Sequence, residues 1–129
     1  MPVIQNLNQL PYREMISKGT QEPLSLVRSL SEVGELSDLL IHYEVLLPQR
    51  RTATPHHHTL KEELFLVLEG QPSIWLDGEL SPLEPGDFVG CPAGEAVAHT
   101  VVNTSDTRAV ILTIGTNPKD DVTTFVEMM

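Results

Sequence analysis

The sequence predicts an all-β fold, a barrel or sandwich of short strands preceded by an N-terminal arm. From Leu39 onward, short apolar runs arrive roughly every 8–12 residues and are bounded by Gly, Pro, Asn or Asp, a pattern typical of sandwiches and barrels. The 129 residues also fit one domain and leave little room for a second, independent core. These two observations favour one β-rich domain.

The chain begins with a segment that we interpret as the arm. This segment is polar and is interrupted by Pro2, Pro11 and Pro23, and each proline removes a backbone donor and fixes φ. We therefore predict that residues 1–38 form an arm and first strands that pack on the barrel. Residues 39–129 would form the barrel itself, and the whole chain would be a single domain.

Residues 24–40 admit two interpretations. Apolar side chains recur at every third position from Leu24 to Leu39, which a helix could present on one face. However, the period differs from the 3.6 residues of a helical turn, Gly34 lies inside the segment, and serine is frequent. For residues 24–38 we favour two strands around a turn near Gly34, with a helix as the alternative.

The barrel segments follow in order along the chain. Their sequences are LLIHYEVLLP, ELFLVLEG, SIWLDGEL, GDFVGCP, AVAHTVVN, RAVILTIG and DVTTFVEM. They are rich in apolar and β-forming residues and end at turn residues such as Pro48 and Gly70. SIWLDGEL contains Asp77-Gly78 between two apolar pieces, and this dipeptide favours a two-residue hairpin turn. We predict a hairpin there.

Alternation along ELFLVLEG predicts a covered outer face. If Glu63 points into the barrel, Phe65 and Val67 do so too, and the three leucines that alternate with them point out. A water-facing sheet would tolerate such an apolar outer face poorly. We expect the N-terminal arm and a second subunit to share the covering, so that the protein is a homodimer.

Composition and charge exclude several function classes. The net charge of −10 does not suit nucleic acid, because phosphate contacts need clustered Lys and Arg. No stretch approaches the ~18 consecutive apolar residues of a membrane span, and the first twenty residues lack the apolar run of a signal peptide. Cys91 is the single cysteine, so no intramolecular disulfide forms. We expect a cytoplasmic protein without a nucleic-acid or membrane partner.

The segment PHHHTLKEELFLVLEG carries the groups best suited to chemistry. On an extended strand His56 and His58 share one face, and His57 points to the other. Glu63 follows at the start of the next apolar strand. Imidazole nitrogens bind Zn, Fe, Ni or Cu well, and a carboxylate suits Mn and Fe. The pattern therefore suits metal binding on the face that His57 does not share.

This segment and a second one, GDFVGCPAGEAVAHTVVN, resemble the two motifs of the cupin superfamily. The resemblance covers roughly Leu39 to Ile114. The matching positions are His56, His58, Glu63 and Gly70 in the first motif and Gly86, Pro92, Gly94, His99 and Asn103 in the second. Two departures are present. Arg50 stands where the first motif often opens with Gly, and four residues rather than the usual two separate Gly94 from His99.

The resemblance implies both a fold and a site. The fold would be the double-stranded β-helix of cupins, a jelly-roll barrel, with one divalent transition metal inside. By resemblance the ligands would be His56, His58, Glu63 and His99, which leave one or two positions for water or substrate. The metal would be Mn, Fe, Ni, Zn or Co.

Five residues are expected to line the pocket around the metal: Tyr43, Phe65, Val67, Val101 and Asn103. On the first barrel strand, alternation allows either Tyr43 alone or His42 and Glu44 together to face inward. Asn103 has a second interpretation, in which its side chain caps a turn or bonds to the backbone.

The expected function is a metal-dependent reaction on a small molecule held in the barrel. Small cupins with this pattern are similar to sugar-phosphate isomerases and dioxygenases, so we expect isomerase- or dioxygenase-like chemistry. The alternative is a non-catalytic module that binds or senses a small ligand, because one fold can serve both roles. No catalytic residue is assigned, since the side chains expected to face inward are mostly apolar.

Overall fold

The computed structural model describes residues 2–126, which form two antiparallel β-sheets. This range contains eleven strands, a 3-10 turn at Leu7–Gln9 and one short helix, α1, at Leu30–Val33. In chain order the strands are β1 Arg13–Ile16, β2 Pro23–Ser29, β3 Leu39–Leu46, β4 His56–His58, β5 Glu63–Glu69, β6 Ser73–Leu76, β7 Glu79–Pro82, β8 Phe88–Cys91, β9 His99–Val102, β10 Ala109–Thr116 and β11 Thr123–Phe125.

The chain passes back and forth between the two sheets as in a jelly roll. The first sheet has the order β1-β2-β3-β10-β5-β8, and the second has the order β11-β4-β9-β6-β7. Consecutive strands such as β3, β4 and β5 therefore fall in alternate sheets, which encloses an interior between them. The predicted all-β, jelly-roll fold is confirmed.

The segment with two interpretations, residues 24–38, contains a strand followed by a single helical turn. β2 ends at Ser29, whose hydroxyl caps α1 by accepting a hydrogen bond from the Glu32 N–H at 3.2 Å. Gly34 ends α1 after this one turn. The segment therefore holds one strand and one turn of helix, and the next strand, β3, begins only at Leu39; the prediction of two strands around Gly34 is correct for the first strand and wrong for the second. No helix within residues 2–126 has the length and apolar character needed to cross a bilayer.

The N-terminal arm contributes two strands to the edge of the first sheet. β1 pairs with β2, and β2 pairs with β3. Arg50 fastens the arm by contacting the Glu14 carboxylate at 2.9 Å. Arg51 contacts both carboxylate oxygens of Glu22, at 2.8 and 2.7 Å, in the forked geometry that guanidinium favours. The loop before β4 is thus tied to the arm.

The predicted hairpin is confirmed and also supports the start of β9. β6 and β7 are joined through Asp77 and Gly78, whose φ angles are 45° and 99°. Positive φ at both central residues is what a type I′ turn requires. The Asp77 carboxylate accepts a hydrogen bond from the Ala98 N–H at 2.9 Å, which holds the residue just before His99.

The hydrophobic core fills the space between the sheets. Its buried members are Leu46, Phe65, Val67, Ile74, Val101, Ala109 and Ile111. Burial of each of the Leu, Ile, Val and Phe side chains contributes roughly 1.5–3 kcal/mol to stability. On β5, Glu63, Phe65 and Val67 are 9%, 3% and 1% exposed, whereas Leu68 is 44% exposed. The alternation predicted for this strand is confirmed.

The outer face of the first sheet is covered on one side only. The Arg28 guanidinium stacks on Tyr12 at 4.0 Å and donates to the Leu10 carbonyl at 2.9 Å, so the arm covers the β2 side. Across β10, β5 and β8, cross-strand neighbours remain at least partly exposed. We call this region the outer apolar face. Its residues are Leu64, Leu66, Leu68, Phe88, Leu112 and Ile114.

Candidate metal centre

Three histidines and one glutamate meet inside the barrel. β4 places His56 and His58 on one face, two residues apart, with both side chains buried. His99 on β9 lies opposite His56, and Glu63 is the first residue of β5 in the other sheet. All four residues are at most 9% exposed. The structure thus brings together the four residues that the sequence singled out as ligands.

The carboxylate of Glu63 is the point on which the imidazoles converge. Its Oε1 atom lies 3.2 Å from His56 Nε2, 3.0 Å from His58 Nε2 and 2.9 Å from His99 Nε2. One ligand atom from each of His56, His58 and Glu63 lies within 4.8 Å of the others, a spacing that a shared metal ion would need. His99 does not belong to this group of three, but from the neighbouring strand its Nε2 contacts the same carboxylate oxygen.

Acceptors outside the cluster fix the direction of two imidazoles. His56 Nδ1 donates to the Thr54 carbonyl at 2.7 Å. His58 Nδ1 donates to Asp121 Oδ2 at 2.7 Å. Because each Nδ1 proton is used outside the cluster, each Nε2 points at Glu63 and is the nitrogen available to a cation. Partners of this kind orient histidine ligands in metal sites and raise their basicity.

One atom of the cluster lacks a partner. His58 Nε2 is buried and has no hydrogen bond among the described residues. It lies 3.0 Å from Glu63 Oε1, but this contact does not have hydrogen-bond geometry. An unsatisfied buried nitrogen costs free energy, and coordination to a cation would remove that cost. A set of imidazoles with one carboxylate fits a divalent transition metal.

Glu63 and His56 shift each other's pKa values through their hydrogen bond. Burial alone would raise the pKa of Glu63, but hydrogen bonds from His56 and His99 hold this pKa well below its usual range. Burial lowers the pKa of His56, but the hydrogen bonds to Glu63 and to the Thr54 carbonyl outweigh it, so this pKa is raised. Glu63 is therefore an anion at neutral pH, and a metal ion would compete with the proton on His56.

The cluster lies between two cavities. The first, which we call the β8-side cavity, has a volume of about 120 Å³ and is lined by His58 and His99 together with Cys91. The second, the β3-side cavity, has a volume of about 130 Å³ and is lined by His56 and Glu63. Burial raises the pKa of Cys91 to about 12, so this thiol stays protonated at neutral pH.

The polar lining of the β3-side cavity corrects one prediction. His42 and Glu44 line this cavity, because Leu46 on the same strand faces the core and fixes the alternation. Tyr43 therefore points to the opposite face, where its ring lies 5.8 Å from the Arg28 guanidinium carbon. The prediction that Tyr43 lines the pocket is wrong.

The other four residues predicted to line the pocket have different roles. Phe65 lines the β3-side cavity, and its ring centre lies 5.7 Å from that of His99. Val67 and Val101 are members of the hydrophobic core. The Asn103 amide donates to the carbonyls of Leu46 and Thr107, both at 2.8 Å, and its oxygen accepts from Ser105. Asn103 thus bonds to the backbone and offers no group to a ligand.

Glu44 is a buried carboxylate that the cluster does not use. It is 5% exposed and accepts hydrogen bonds from the hydroxyls of Ser25 and Thr113. Burial raises its pKa above the usual range of a glutamate, although these hydrogen bonds oppose the shift. A carboxyl group with a raised pKa in a cavity is suited to accept and return a proton near neutral pH.

His57 lies outside the cluster, as alternation predicts. It is half-buried and pairs with Thr124 of β11. Its side chain borders the β8-side cavity, but the imidazoles found in contact with the Glu63 carboxylate among the described residues are those of His56, His58 and His99.

Sequence reasoning missed Asp121, which holds the cluster from outside. Besides its contact with His58, its Oδ1 accepts hydrogen bonds from the N–H groups of Leu60 and Lys61 at 2.8 and 3.0 Å. Burial opposes the shift, but these bonds, together with the one to His58, lower the pKa of Asp121 to about 2. No spacing relates this aspartate to the histidine motifs, so only the pairing of β11 with β4 reveals it.

Comparison with known proteins gives a family match over the barrel. The family model described as "Cupin domain" matches residues 42–115. A sugar phosphate isomerase from a cupin superfamily, from Silicibacter pomeroyi, has a similar structure, with a TM-score of 0.86 and 25% sequence identity. The alignment covers 98% of this chain and 83% of that one.

Two curated proteins are similar in sequence. The quercetin 2,3-dioxygenase of Bacillus subtilis is 41% identical over 46 residues, which are 36% of this chain. The match spans only 14% of the length of that dioxygenase. An uncharacterized protein of Aquifex aeolicus is 29% identical over 94 residues, which cover 73% of this chain and 70% of that protein.

We expect Asp121→Asn to weaken metal binding by about 10- to 100-fold, because the replacement removes the anionic acceptor that orients His58. Asp120→Asn is the matched control, since Asp120 is the exposed neighbour of Asp121. Competition for Zn²⁺ against a chromophoric chelator measures both affinities. Equal dissociation constants for the two variants would show that Asp121 does not act on the metal through His58.

Proposed function

Because the chain belongs to the cupin family, we propose that it is a metal-dependent enzyme acting on a small molecule inside the barrel. The proposed ligands are His56, His58, Glu63 and His99. The observation that carries the proposal is the convergence of three imidazole Nε2 atoms on one buried carboxylate oxygen, with cavities on both sides. The donor set suits one divalent ion, from among Mn, Fe, Ni, Zn and Co.

The favoured reaction is an isomerase-like proton transfer. An ion bound at the cluster would polarise a carbonyl or stabilise an enolate. Glu44 would take a proton from the hydroxyl-bearing carbon beside that carbonyl and return it to the carbonyl carbon, while the hydroxyl proton moves to the carbonyl oxygen, so that no co-reactant is consumed. Two features of this carboxyl support the role: it lines the β3-side cavity, and burial raises its pKa.

Similarity to a sugar phosphate isomerase over nearly the whole chain supports this choice of reaction class. Dioxygenase-like chemistry on bound iron is the second candidate, and it is supported by the 46-residue match to quercetin 2,3-dioxygenase. A binding module without turnover is the alternative in a different class, because one fold can serve both roles.

Metal binding is the first test of the proposal. Protein purified without a chelator or histidine tag and offered Mn, Fe, Ni, Zn and Co should retain about one equivalent of metal. His58→Ala should lose this metal, because it removes an inward nitrogen, and the matched control His57→Ala should keep it. Elemental analysis measures the content. A wild-type content below about a tenth of an equivalent would contradict the ligand assignment.

Turnover separates the enzyme from the binding module. We expect metal-loaded protein to interconvert aldose and ketose phosphates, and Glu44→Gln to lower the rate by at least about 100-fold with unchanged metal content, because the base is removed. Oxygen uptake by the iron-loaded protein in the presence of an aromatic polyol would indicate the dioxygenase instead. Tight ligand binding without turnover in either assay would favour the module.

The outer apolar face supports a homodimer. The arm covers the β2 side of the first sheet, so it does not account for the part formed by β10, β5 and β8. Leu68 and Phe88 on this part are 44% and 67% exposed. A second copy that packs the same face against it would cover both copies at once through a two-fold axis.

We expect light scattering after gel filtration to give twice the chain mass of 14.3 kDa for the wild type. Leu66→Lys should shift the mass to that of the monomer, because it places a charge in the middle of the proposed interface. Leu80→Lys is the control on the other sheet, where Leu80 is 51% exposed. A wild type of monomer mass would contradict the dimer.

The cellular setting and partners are part of the same proposal. The single cysteine, Cys91, is consistent with a reduced cytoplasmic compartment. The net charge of −10 supports a small-molecule partner over nucleic acid.

A further inference from the structure

Lys61 occupies a position between the two cavities. It belongs to the loop that joins β4 to β5, and its side chain lines both the β8-side and the β3-side cavity. The side chain is only 21% exposed, although lysines are usually exposed to solvent. A lysine at this place beside the cluster therefore has a role other than solubility.

The surrounding backbone directs Lys61 inward. Its N–H donates to Asp121 Oδ1 at 3.0 Å, and the same carboxylate accepts from His58 Nδ1. The alkyl chain then passes over Gly115, where an added Cβ would lie 2.8 Å from Lys61 Cε. Because Gly115 has no side chain, there is room for the lysine to reach the interior.

An ion pair with Glu63 does not by itself explain the position of the Lys61 ammonium group. Lys61 Nζ lies 4.0 Å from Glu63 Oε2, which is the outer limit of an ion pair. The charge of Lys61 also acts on His42 and Glu44, where it favours lower pKa values. The ammonium group thus influences the space shared by these groups rather than a single partner.

Among the described residues, Lys61 is the one lysine or arginine that lines either cavity. A divalent ion held by neutral histidines and Glu63 would keep a net positive charge, and Lys61 would add to it. Two further carboxylates line the cavities. Glu44 is engaged by Ser25 and Thr113, and Glu95 is exposed at the edge of the β8-side cavity. The net charge of the chain is −10, so an anionic ligand needs a local cation, and Lys61 supplies one at these cavities.

We propose that Lys61 is the recognition residue for an oxyanion, the phosphate or carboxylate group of a small ligand whose other end reaches the metal centre. The compact charge of a lysine suits either group. This inference rests on the proposed function and names the substrate class of the same site. Lys61 would bind the end of the ligand that does not react, and so position the reacting carbon atoms near Glu44.

The test compares Lys61→Met with the matched control Lys119→Met, which removes an exposed lysine in the turn before β11. Methionine keeps an unbranched chain over Gly115 and removes the charge. Each protein, including the wild type, is loaded with Mn²⁺ and titrated calorimetrically with 2-phosphoglycolate, malonate and uncharged glycerol. Manganese affinity is measured separately for all three proteins.

We expect one or both anions to bind the wild type and Lys119→Met equally and to bind Lys61→Met about 10- to 100-fold more weakly. Glycerol should bind none of them. Manganese affinity should be unchanged or tighter in Lys61→Met, since a positive charge beside a dication is removed. Loss of affinity for 2-phosphoglycolate alone identifies the phosphate as the recognised group, and loss for malonate identifies the carboxylate.

Three results would overturn the inference. They are equal anion affinity in Lys61→Met and the wild type, no anion binding to the manganese-loaded wild type, and a fall in manganese affinity in Lys61→Met that parallels the fall in anion affinity. The last result would mean that Lys61 only supports the structure of the cluster. A wild type that takes up none of Mn, Fe, Ni, Zn and Co would overturn the proposed function and this inference together, and if another of these ions binds in place of manganese the titrations are run with that ion.

Discussion

The burial of one carboxylate among three imidazoles is the constraint on which the rest of the structure depends. Glu63 belongs to one sheet, and its three histidine contacts come from two strands of the other sheet. A buried anion is costly unless it is compensated, so both sheets must hold their positions closely. Two hydrogen bonds support this arrangement: Asp77 accepts one from the Ala98 N–H just before β9, and Asp121 accepts one from His58.

The all-β class and the shared face of His56 and His58 could be predicted from strand alternation, whereas the jelly-roll fold and the full set of four cluster residues, His99 included, came from the resemblance to the cupin motifs. The alternation that places Glu63 and Phe65 inside needs only neighbouring residues. Alternation alone could not decide which face of β3 points inward, because both faces of that strand carry apolar residues. The packing of Leu46 in the core makes Glu44 an inward residue and Tyr43 an outward one. The prediction for Tyr43 was wrong because it depended on a tertiary contact, that of Leu46 with the core, which the sequence does not reveal.

The supporting residues could not be found from the sequence, because they act across long stretches of chain. Asp121 and His58 are 63 positions apart, and no sequence pattern links the two residues. Lys61 depends in the same way on Gly115, which leaves space only because β10 lies beside β5. Motif spacing identifies the groups at the centre of a site, whereas the groups that orient them and bind the ligand depend on how the sheets pair.

The run of three histidines on β4 has a consequence for folding. β4 has three residues, and His56 opposite His99 is its paired position with β9. A slip of one residue would turn His57 inward and carry both His56 and His58 outward, because side chains alternate along a strand. The slipped chain would then offer a metal ion one nitrogen from β4 where the native one offers two. Since a ligand stabilises the state that binds it more tightly, the ion would favour the native register of β4 over the slipped one while the barrel closes.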